Sequence, residues 1–381
     1  MNDPFGLRAL DIEHARLRPG AKWQFHRADY AAWVADMDFA VAPTIRDRLI
    51  EVASTDVGYP VWGGRRGASP AATAFVDRMA ARFGWAPRQD WLYEMNDVVQ
   101  GVRVAVHHLT EPGDGIVLHT PAYHPFLDTI ESMGRRIVRV PSPFDHDDLD
   151  SRLARDPARL MILCHPHNPT GHVFTRVELE RIAEIADRHD LVVVSDEVHA
   201  DLVHAPHGHV PFESLGTDVA SRTVTVTSAS KAFNLAGLRW AILHAGSAAM
   251  RSVLGALPDH YLGTANVMAV EATATAWATG DAWLDAVRTV LGENRDALCD
   301  LLAAHLPGVR YTPPEATYLA WLDCRQLGLG DDPTETFRER GVALSPGPQF
   351  GAEGAGFVRL NFATSPAILA ATVAAMAAPC R

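Results

Sequence analysis

Lys231 is one of only two lysines in a chain whose lysines and arginines together number 34. Arginine has replaced lysine almost everywhere that a plain surface cation would serve, so both remaining amines call for an explanation. A lysine amine can lose its proton and attack a carbonyl group, whereas a guanidinium stays charged in proteins. Lys231 follows the β-branched run Thr223–Thr227, which is typical of a buried strand. The pattern predicts a Schiff-base amine beyond a strand end; the alternative is a surface lysine in a loop.

A lysine-bound pyridoxal phosphate makes defined demands on its surroundings, and the sequence offers a residue for each. The ring nitrogen needs a carboxylate that keeps it protonated, and Asp196 ends the apolar run 191–196. The ring oxygen needs a donor, and Asn168 lies in the turn after the run 160–164. An aromatic side chain should stack on the ring, and Tyr123 follows another strand. The alternatives for these three residues are a cap, a simple turn and a core tyrosine.

The phosphate of such a cofactor needs hydroxyl groups, a helix N-terminus and a cation. Ser228, Ser230 and Arg239 supply the hydroxyls and the cation, and a helix predicted to begin near Asp97 supplies backbone N–H groups. The carboxylate of an amino-acid substrate needs a bidentate partner, for which Arg359 in a C-terminal strand is the best-placed arginine. Each signal alone is weak, but their joint occurrence at strand ends predicts a pyridoxal-phosphate site.

The composition argues against several other classes of protein. A net charge of −12 over 381 residues is unlike that of nucleic-acid binders, which carry a basic face. The four cysteines are widely spaced, which predicts a reducing compartment and no metal knuckle. The histidines at 199, 204, 207 and 209 lack the spacing of zinc ligands and predict a polar loop rather than a metal site. No apolar run approaches the ~20 residues that cross a bilayer, so we expect a cytoplasmic protein without a membrane or nucleic-acid partner.

The pattern of predicted elements indicates an α/β fold. Apolar runs between residues 115 and 244 alternate with helical segments, which predicts a large domain with a mostly parallel, mixed sheet sandwiched by helices. Ligands bind beyond the carboxyl ends of such strands, where Asp196 and Lys231 fall. A long helix predicted over 281–306 and the elements after it indicate a smaller α+β domain. The expected units are an N-terminal segment 1–40 of the small domain and substrate entrance, a cofactor-binding domain 41–285 and a small domain 286–381.

Taken together, these residues give the sequence a resemblance to the fold-type I pyridoxal-phosphate enzymes, the aspartate aminotransferase superfamily. The matching residues occur in the superfamily's order, which is Tyr123, Asn168, Asp196, Lys231, Arg239 and Arg359. Within the superfamily the chain is most similar to the MalY/PatB group of cystathionine and cysteine-S-conjugate β-lyases, through segments 33–39, 58–60, 196–202 and 209–212. His199 also matches this group, because aspartate aminotransferases carry tyrosine three residues after the ring aspartate.

The resemblance implies a homodimeric, pyridoxal-phosphate-dependent carbon–sulfur β-lyase that converts cysteine S-conjugates or cystathionine to thiol, pyruvate and ammonia. It implies catalytic roles for Lys231, Tyr123 and Asp196, with Lys231 as Schiff-base lysine and α-proton base. The implied cofactor-binding set is Val98, Val99, Tyr123, Asn168, Asp196, His199, Ser228, Ser230, Lys231, Arg239 and Tyr59, of which Tyr59 would reach the partner subunit's cofactor phosphate. The implied substrate-binding residues are Ala35, Asp36, Trp62 and Arg359.

The chain departs from the superfamily pattern at one place, and its residues suit more than one reaction. Asp97, Val98 and Val99 stand where many superfamily members have small residues, although backbone N–H groups there can still bind phosphate. The same site would also serve an aminotransferase, or a decarboxylating or oxidative deaminase of an S-substituted cysteine, because these reactions differ only in the substrate bond that breaks. A regulatory protein without enzymatic activity on this fold is a further alternative, which the lack of a separate DNA-binding segment disfavours.

Overall fold

The computed structural model of the protein describes residues 3–63, 66–258 and 260–379. The strands are β1 (Tyr30–Ala31), β2 (Leu92–Met95), β3 (Gly115–Thr120), β4 (Arg136–Pro141), β5 (Leu160–Cys164), β6 (Val192–Asp196), β7 (Thr223–Thr227), β8 (Ala241–Ala245), β9 (Arg310–Tyr311), β10 (Leu319–Asp323), β11 (Val342–Ala343), β12 (Ser345–Pro346) and β13 (Phe357–Asn361). The helices are α1 (Ile12–Arg16), α2 (Ala21–Gln24), α3 (Pro43–Thr55), α4 (Pro70–Phe83), α5 (Val98–Leu109), α6 (His124–Ser132), α7 (His146–Leu153), α8 (Arg176–Arg188), α9 (Thr217–Ser221), α10 (Ala248–Ala256), α11 (Val267–Thr279), α12 (Asp281–His305), α13 (Thr334–Glu339) and α14 (Pro366–Ala377).

A seven-stranded sheet in the order β2-β8-β7-β6-β5-β3-β4 forms the centre of the larger part of the molecule. The neighbouring strands β4, β3, β5, β6 and β7 pair in parallel. Strand β8 runs antiparallel to both of its neighbours, β7 and β2. The mostly parallel, mixed sheet predicted from the sequence is thereby confirmed. The sequence did not predict the edge strand β2, because its four residues Leu92–Met95 include a glutamate and no β-branched residue.

Helices cover both faces of this sheet. Alternate residues of β5 show the arrangement, because successive side chains of a strand point to opposite faces. Leu160 and Ile162 pack in the core formed with α5, α6 and α10, whereas Met161 and Leu163 pack in the core formed with α7 and α8. Burial on both faces explains why the strands read as continuous apolar runs in the sequence.

The polar residues of the predicted site lie on chain segments at the carboxyl ends of the parallel strands, which we call the carboxyl edge of the sheet. The parallel strands β5, β6 and β7 end there at Cys164, Asp196 and Thr227. Because β8 runs the opposite way, it begins at this edge, and Arg239 lies two residues before its first residue. A residue that precedes a strand thus joins residues that follow strands.

Helix α5 approaches this edge closely because of Gly101. A Cβ atom at this position would lie 2.8 Å from Cγ1 of Val226 in β7, so a larger residue would push the helix away from the sheet. The close approach places the N-terminus of α5, at Val98, beside the ends of β6 and β7.

The second part of the molecule is built on an antiparallel sheet in the order β12-β13-β10-β9, with α12 and α14 packed together beside it. Helix α12 spans 25 residues, Asp281–His305, in agreement with the helix predicted over 281–306. The N-terminal strand β1 pairs in parallel with β11, which carries the segment after Ala31 to the region between the two sheets. We propose on this basis that residues 1–40 and 286–381 form the small domain and residues 41–285 the large one.

No helix in the described ranges is long and apolar enough to span a membrane.

Asn294 fastens α12 to the chain that follows β13. Its buried Nδ2 donates to the carbonyl oxygens of Phe362 at 2.9 Å and Thr364 at 2.7 Å. We expect Asn294→Leu to lower the free energy of unfolding by about 2–4 kcal/mol, because both carbonyls would remain buried without a donor. Urea unfolding followed by circular dichroism measures the change. The matched control is Thr289→Ala on the exposed side of α12, which should change stability by less than about 0.5 kcal/mol; equal effects of the two substitutions would contradict the assignment.

Candidate active site

A cavity opens at the carboxyl edge of the seven-stranded sheet, and most of the predicted site residues meet in it. Its lining includes ten of them: Ala35, Val98, Val99, Tyr123, Asn168, Asp196, His199, Ser230, Lys231 and Arg239. Cys164, Val198, Ala236, Trp240 and Asp97 complete the wall. Residues that lie up to 205 positions apart in the chain thus share one cavity.

The carboxyl group of Asp196 is the most unusual group in the cavity. The residue is 4% exposed, and its Oδ1 accepts a hydrogen bond from the backbone N–H of Val198 at 3.1 Å. Its Oδ2 lies 4.0 Å from Sγ of Cys164. Burial, with a smaller contribution from the neighbouring carboxylate of Glu197, raises the pKa of Asp196 to about 7, although the Val198 N–H and Lys231 act in the opposite direction. A donor with positive charge placed against this carboxyl would restore its ionised form.

The amine of Lys231 faces the same cavity from the loop after β7. Its Nζ donates to the carbonyl oxygen of Ala35 at 2.9 Å. Burial lowers the pKa of Lys231, and the positive charge of Arg359 adds to this, whereas the carboxylates of Asp36 and Asp196 oppose it. A lowered pKa increases the fraction of neutral, nucleophilic amine near neutral pH.

Arg359 lies next to the cavity and is bonded to Asn168, which lines it after the end of β5. The Arg359 side chain is buried, and its Nη1 donates to Oδ1 of Asn168 at 3.1 Å. Its Nη2 donates to Oγ of Ser345 and to the carbonyl oxygen of Trp33, both at 3.1 Å. Burial lowers the pKa of Arg359 to about 10, which leaves the guanidinium charged near neutral pH. Its Nε is buried and has no hydrogen-bond partner among the described residues.

The end of the cavity near α5 has the features of a phosphate site. The N–H groups of Val98 and Val99, in the first turn of α5, have no acceptor within the helix. Ser230 and Arg239 lie across from them. Ser228 is buried just below, where its hydroxyl donates to the carbonyl oxygen of Trp240 at 2.6 Å and accepts from the N–H of Ser230 at 3.0 Å. Ser228 thus holds the turn that presents Ser230.

His199 lies beside Asp196, Lys231 and Arg359. Burial, together with the positive charges of Lys231 and Arg359, lowers its pKa to about 3, so the ring is neutral near neutral pH. Its Nδ1 is buried and has no partner among the described residues. A neutral imidazole can pack against an aromatic ring without adding charge to the cavity.

Three predicted residues, Tyr59, Trp62 and Asp36, lie outside the cavity within one subunit. Tyr59 is fully exposed, at 105% of its reference area, and Trp62 is partly buried against the core that includes α3 and α4. Asp36 lies behind Ala35, in a neighbouring pocket that also contains Lys22.

The second lysine also has a defined place. Lys22 is 4% exposed, and its Nζ lies 2.9 Å from Oδ1 of Asp38 and donates to the carbonyl oxygen of Asp36 at 3.1 Å. Both lysines therefore hold the same segment, since Lys231 donates to Ala35. The scarcity of lysine in the sequence drew attention to Lys22, but no spacing in the sequence indicated what Lys22 would contact.

Other contributors were missed by sequence reasoning. The hydroxyl of Tyr318 donates to the carbonyl oxygen of Ala35 at 2.9 Å, which is also the acceptor of Lys231. Cys164 lies under Asp196, and Ser345 holds Arg359. Cys164 could have been found as the last residue of an apolar strand, whereas Tyr318 and Ser345 enter through tertiary pairing that the sequence pattern does not show.

The residues fit the cofactor that the sequence predicts. A pyridinium nitrogen that carries a proton is the partner that the buried carboxyl of Asp196 lacks. An amine, a helix N-terminus and an arginine are the groups that a phosphorylated aldehyde needs at its two ends. This fold and this set of groups define a fold-type I pyridoxal-phosphate enzyme.

Comparison with known proteins leads to the same class. A family model for aminotransferase class I and II matches residues 96–375, and the chain belongs to this family. It is 35% identical to cystathionine beta-lyase PatB of Bacillus subtilis (strain 168), over 88% of this chain and 89% of that protein. It is 32% identical to a cystathionine beta-lyase of Corynebacterium glutamicum, over 94% of this chain and 96% of that protein. A pyridoxal-phosphate-bound C–S lyase from Staphylococcus hominis is a structural neighbour with a TM-score of 0.85 and 27% identity, over 95% of this chain and 96% of that one.

The buried carboxyl makes the stability of the cofactor-free protein depend on pH. An unfolded aspartate has a pKa of about 3.9, whereas Asp196 titrates at about 7 in the folded chain. Between these values the folded state holds a proton that the unfolded state has lost, so the stability conferred at low pH disappears as pH rises to about 7. Asp196→Asn stays neutral, and we expect its stability relative to wild type to increase by about 2–3 kcal/mol between about pH 5 and about pH 8.

Urea unfolding of both cofactor-free proteins across this pH range measures the effect. Asp300→Asn, on the exposed side of α12, is the control and should keep the wild-type pH profile. An Asp196→Asn profile parallel to that of wild type would show that Asp196 titrates normally.

Proposed function

We propose that the chain is a pyridoxal-phosphate-dependent carbon–sulfur lyase that converts cystathionine or other cysteine S-conjugates, with one molecule of water, into a thiol, pyruvate and ammonia. The observation that carries the proposal is that the buried Asp196 carboxyl and the Lys231 amine line the same cavity. The identity of this chain to two cystathionine beta-lyases over most of its length supports the choice of reaction.

Pyridoxal phosphate, when bound, supplies an electron sink for the carbanion that forms at the substrate's α-carbon. In this chain Lys231 would hold its aldehyde carbon, Asp196 its ring nitrogen and Asn168 its ring oxygen. The ring of Tyr123 lies in the cavity wall and would pack against the face of the cofactor ring. The neutral imidazole of His199 would also lie beside that ring. Val98, Val99, Ser230 and Arg239 would hold the phosphate.

Lys231 is the proposed proton carrier. Its Nζ bonds to the carbonyl oxygen of Ala35, a hydrogen bond that a freed amine can give up when it takes the α-proton. Burial lowers the pKa of Lys231, so less free energy is needed to present a neutral base at neutral pH. The same ammonium can then donate its proton as the sulfur leaves, which completes the elimination with balanced charge.

Arg359 is the proposed anchor for the substrate carboxylate. Asn168, Ser345 and Trp33 already hold its guanidinium, so binding requires little reorganisation of the side chain. The positive charge of this guanidinium, whose buried Nε has no partner among the described residues, would attract the carboxylate. Fixing the carboxylate in this way sets which bond of the α-carbon faces Lys231.

Aminotransfer is the second candidate, because the matching family model describes aminotransferases. The difference lies in the fate of the proton on Lys231. Lys231 would give the proton to a departing sulfur in elimination, whereas in transfer it would not protonate a leaving group. A β-carbon with a good leaving group therefore favours elimination at the same site.

The proposal extends to a homodimer and a cytoplasmic location. The exposed apolar side chains of Val57, Tyr59 and Val61 lie close together in the chain and suit burial against a second copy. In such a dimer Tyr59 would bind the partner subunit's cofactor phosphate. The cysteines at 164, 299 and 324 are free, which is compatible with a reducing compartment.

Substitution of Lys231 tests the reaction. We expect Lys231→Ala to reduce release of thiol and pyruvate from cystathionine by about 10³-fold or more, because the general base is lost. Coupled assays of pyruvate and free thiol measure both products. Arg176→Ala, which removes an exposed cation from α8, is the control and should retain the wild-type activity.

The products distinguish the two candidate reactions. Equal amounts of thiol and pyruvate from S-substituted cysteines support the lyase. Conversion of the cofactor to pyridoxamine phosphate, with an oxo acid formed and no thiol released, would instead establish the aminotransferase.

Subunit mixing tests the role of Tyr59. A mixture of Lys231→Ala and Tyr59→Ala homodimers, unfolded and refolded together, should recover up to about a quarter of the wild-type activity, because half of the dimers carry one intact site. Light scattering verifies that the species are dimers. Activity no greater than the sum of the two separate variants would rule out a shared site.

A further inference from the structure

Asp97 stands in the place where the cofactor's phosphate should bind. Its Oδ2 forms an ion pair with Nη2 of Arg239, the arginine proposed to hold that phosphate. Its Oδ1 caps α5 by accepting a hydrogen bond from the N–H of Gln100 at 2.7 Å. Both residues line the cavity at the end formed by Val98 and Val99.

An anion is therefore already present at the groups that attract anions. A helix N-terminus and an arginine form a favourable site for one negative group, and the carboxylate of Asp97 occupies both. A phosphate that carries about two negative charges would have to share or displace this partner, and the two anions repel each other at short range.

The ion pair is not needed to hold the local backbone. The Arg239 side chain is 65% exposed and that of Asp97 28%, so the pair adds little to the stability of the fold. Arg239 also adopts a left-handed backbone conformation with φ of 57°, which a non-glycine residue keeps only where the surrounding chain enforces it. The turn 235–238 before it is closed by the hydrogen bond from Leu238 N–H to the carbonyl oxygen of Leu235 at 3.0 Å.

We infer that Asp97 is an internal competitor for the cofactor's phosphate, held on Arg239 until the phosphate displaces it. The inference rests on the proposed binding of pyridoxal phosphate in this cavity. Asp97 weakens the attachment of the phosphate end, so that retention of the cofactor depends more heavily on its bond to Lys231.

Two neutral replacements of Asp97 test the inference. Asparagine and serine both remain good helix N-caps, so Asp97→Asn and Asp97→Ser remove the charge while keeping the start of α5. We expect each to bind pyridoxal phosphate at least about tenfold more tightly than the wild-type chain does, because the phosphate no longer meets a carboxylate. Absorbance titration of the cofactor-free proteins gives the dissociation constants without reference to turnover.

Two controls isolate the charge. Pyridoxal, which lacks the phosphate, should bind the wild type and both variants with equal affinity. Asp145→Asn removes a carboxylate that caps α7 in the same way, through the N–H of Asp148 at 2.8 Å, and should leave the affinity for pyridoxal phosphate unchanged.

The outcomes separate this inference from the proposed function. If the wild-type chain binds no pyridoxal phosphate, the proposed function fails and the inference fails with it. If the wild type binds the cofactor and neither variant binds it more tightly, only the inference is overturned. A gain confined to the asparagine variant would reflect a new hydrogen bond from its amide, and an equal gain for pyridoxal would reflect a change in the whole cavity; either result also overturns it.

Discussion

Burial of the Asp196 carboxyl without a cation in contact is the constraint on which the site depends. A charged group transferred from water into an apolar cavity is costly unless it is paired, and Asp196 makes no ion pair within the described part of the chain. Asp196 stays buried because it is the last residue of β6, which lies between β5 and β7 at the centre of the sheet. Its position is therefore fixed by backbone pairing rather than by its own contacts.

The remaining groups are arranged around this carboxyl by elements from both parts of the molecule. The large sheet provides Lys231 and the phosphate end, and the small antiparallel sheet provides Arg359 on β13. The segment around residues 33–38 joins them, because its carbonyl oxygens accept hydrogen bonds from Arg359, Lys231 and Lys22. A chain with only two lysines uses both to hold this segment, which connects the compositional bias to the geometry of the cavity.

Much of this arrangement could be predicted from the sequence because strand ends are visible in it. Asp196 and Asn168 follow apolar runs, and parallel strands bring such residues to one edge. The contacts of Tyr318 and Ser345 could not be predicted, because they depend on how the small sheet meets the large one. Nor could the hydrogen bonds of Ser228, whose hydroxyl serves the turn rather than the cavity. The edge strand β2 was missed for lack of β-branched residues, and the Asp97–Arg239 ion pair joins residues 142 positions apart.

Covalent attachment of the cofactor to Lys231 is the central claim, and reductive trapping tests it most directly. Treatment of the holoprotein with borohydride, followed by digestion and peptide mass spectrometry, locates the modified amine. We predict a pyridoxyl phosphate group on the peptide that contains Lys231 and none on the peptide that contains Lys22. Because the chain has no other lysines, the assignment is unambiguous. Modification of Lys22, or an unmodified Lys231 in a protein that retains the cofactor, would contradict the account.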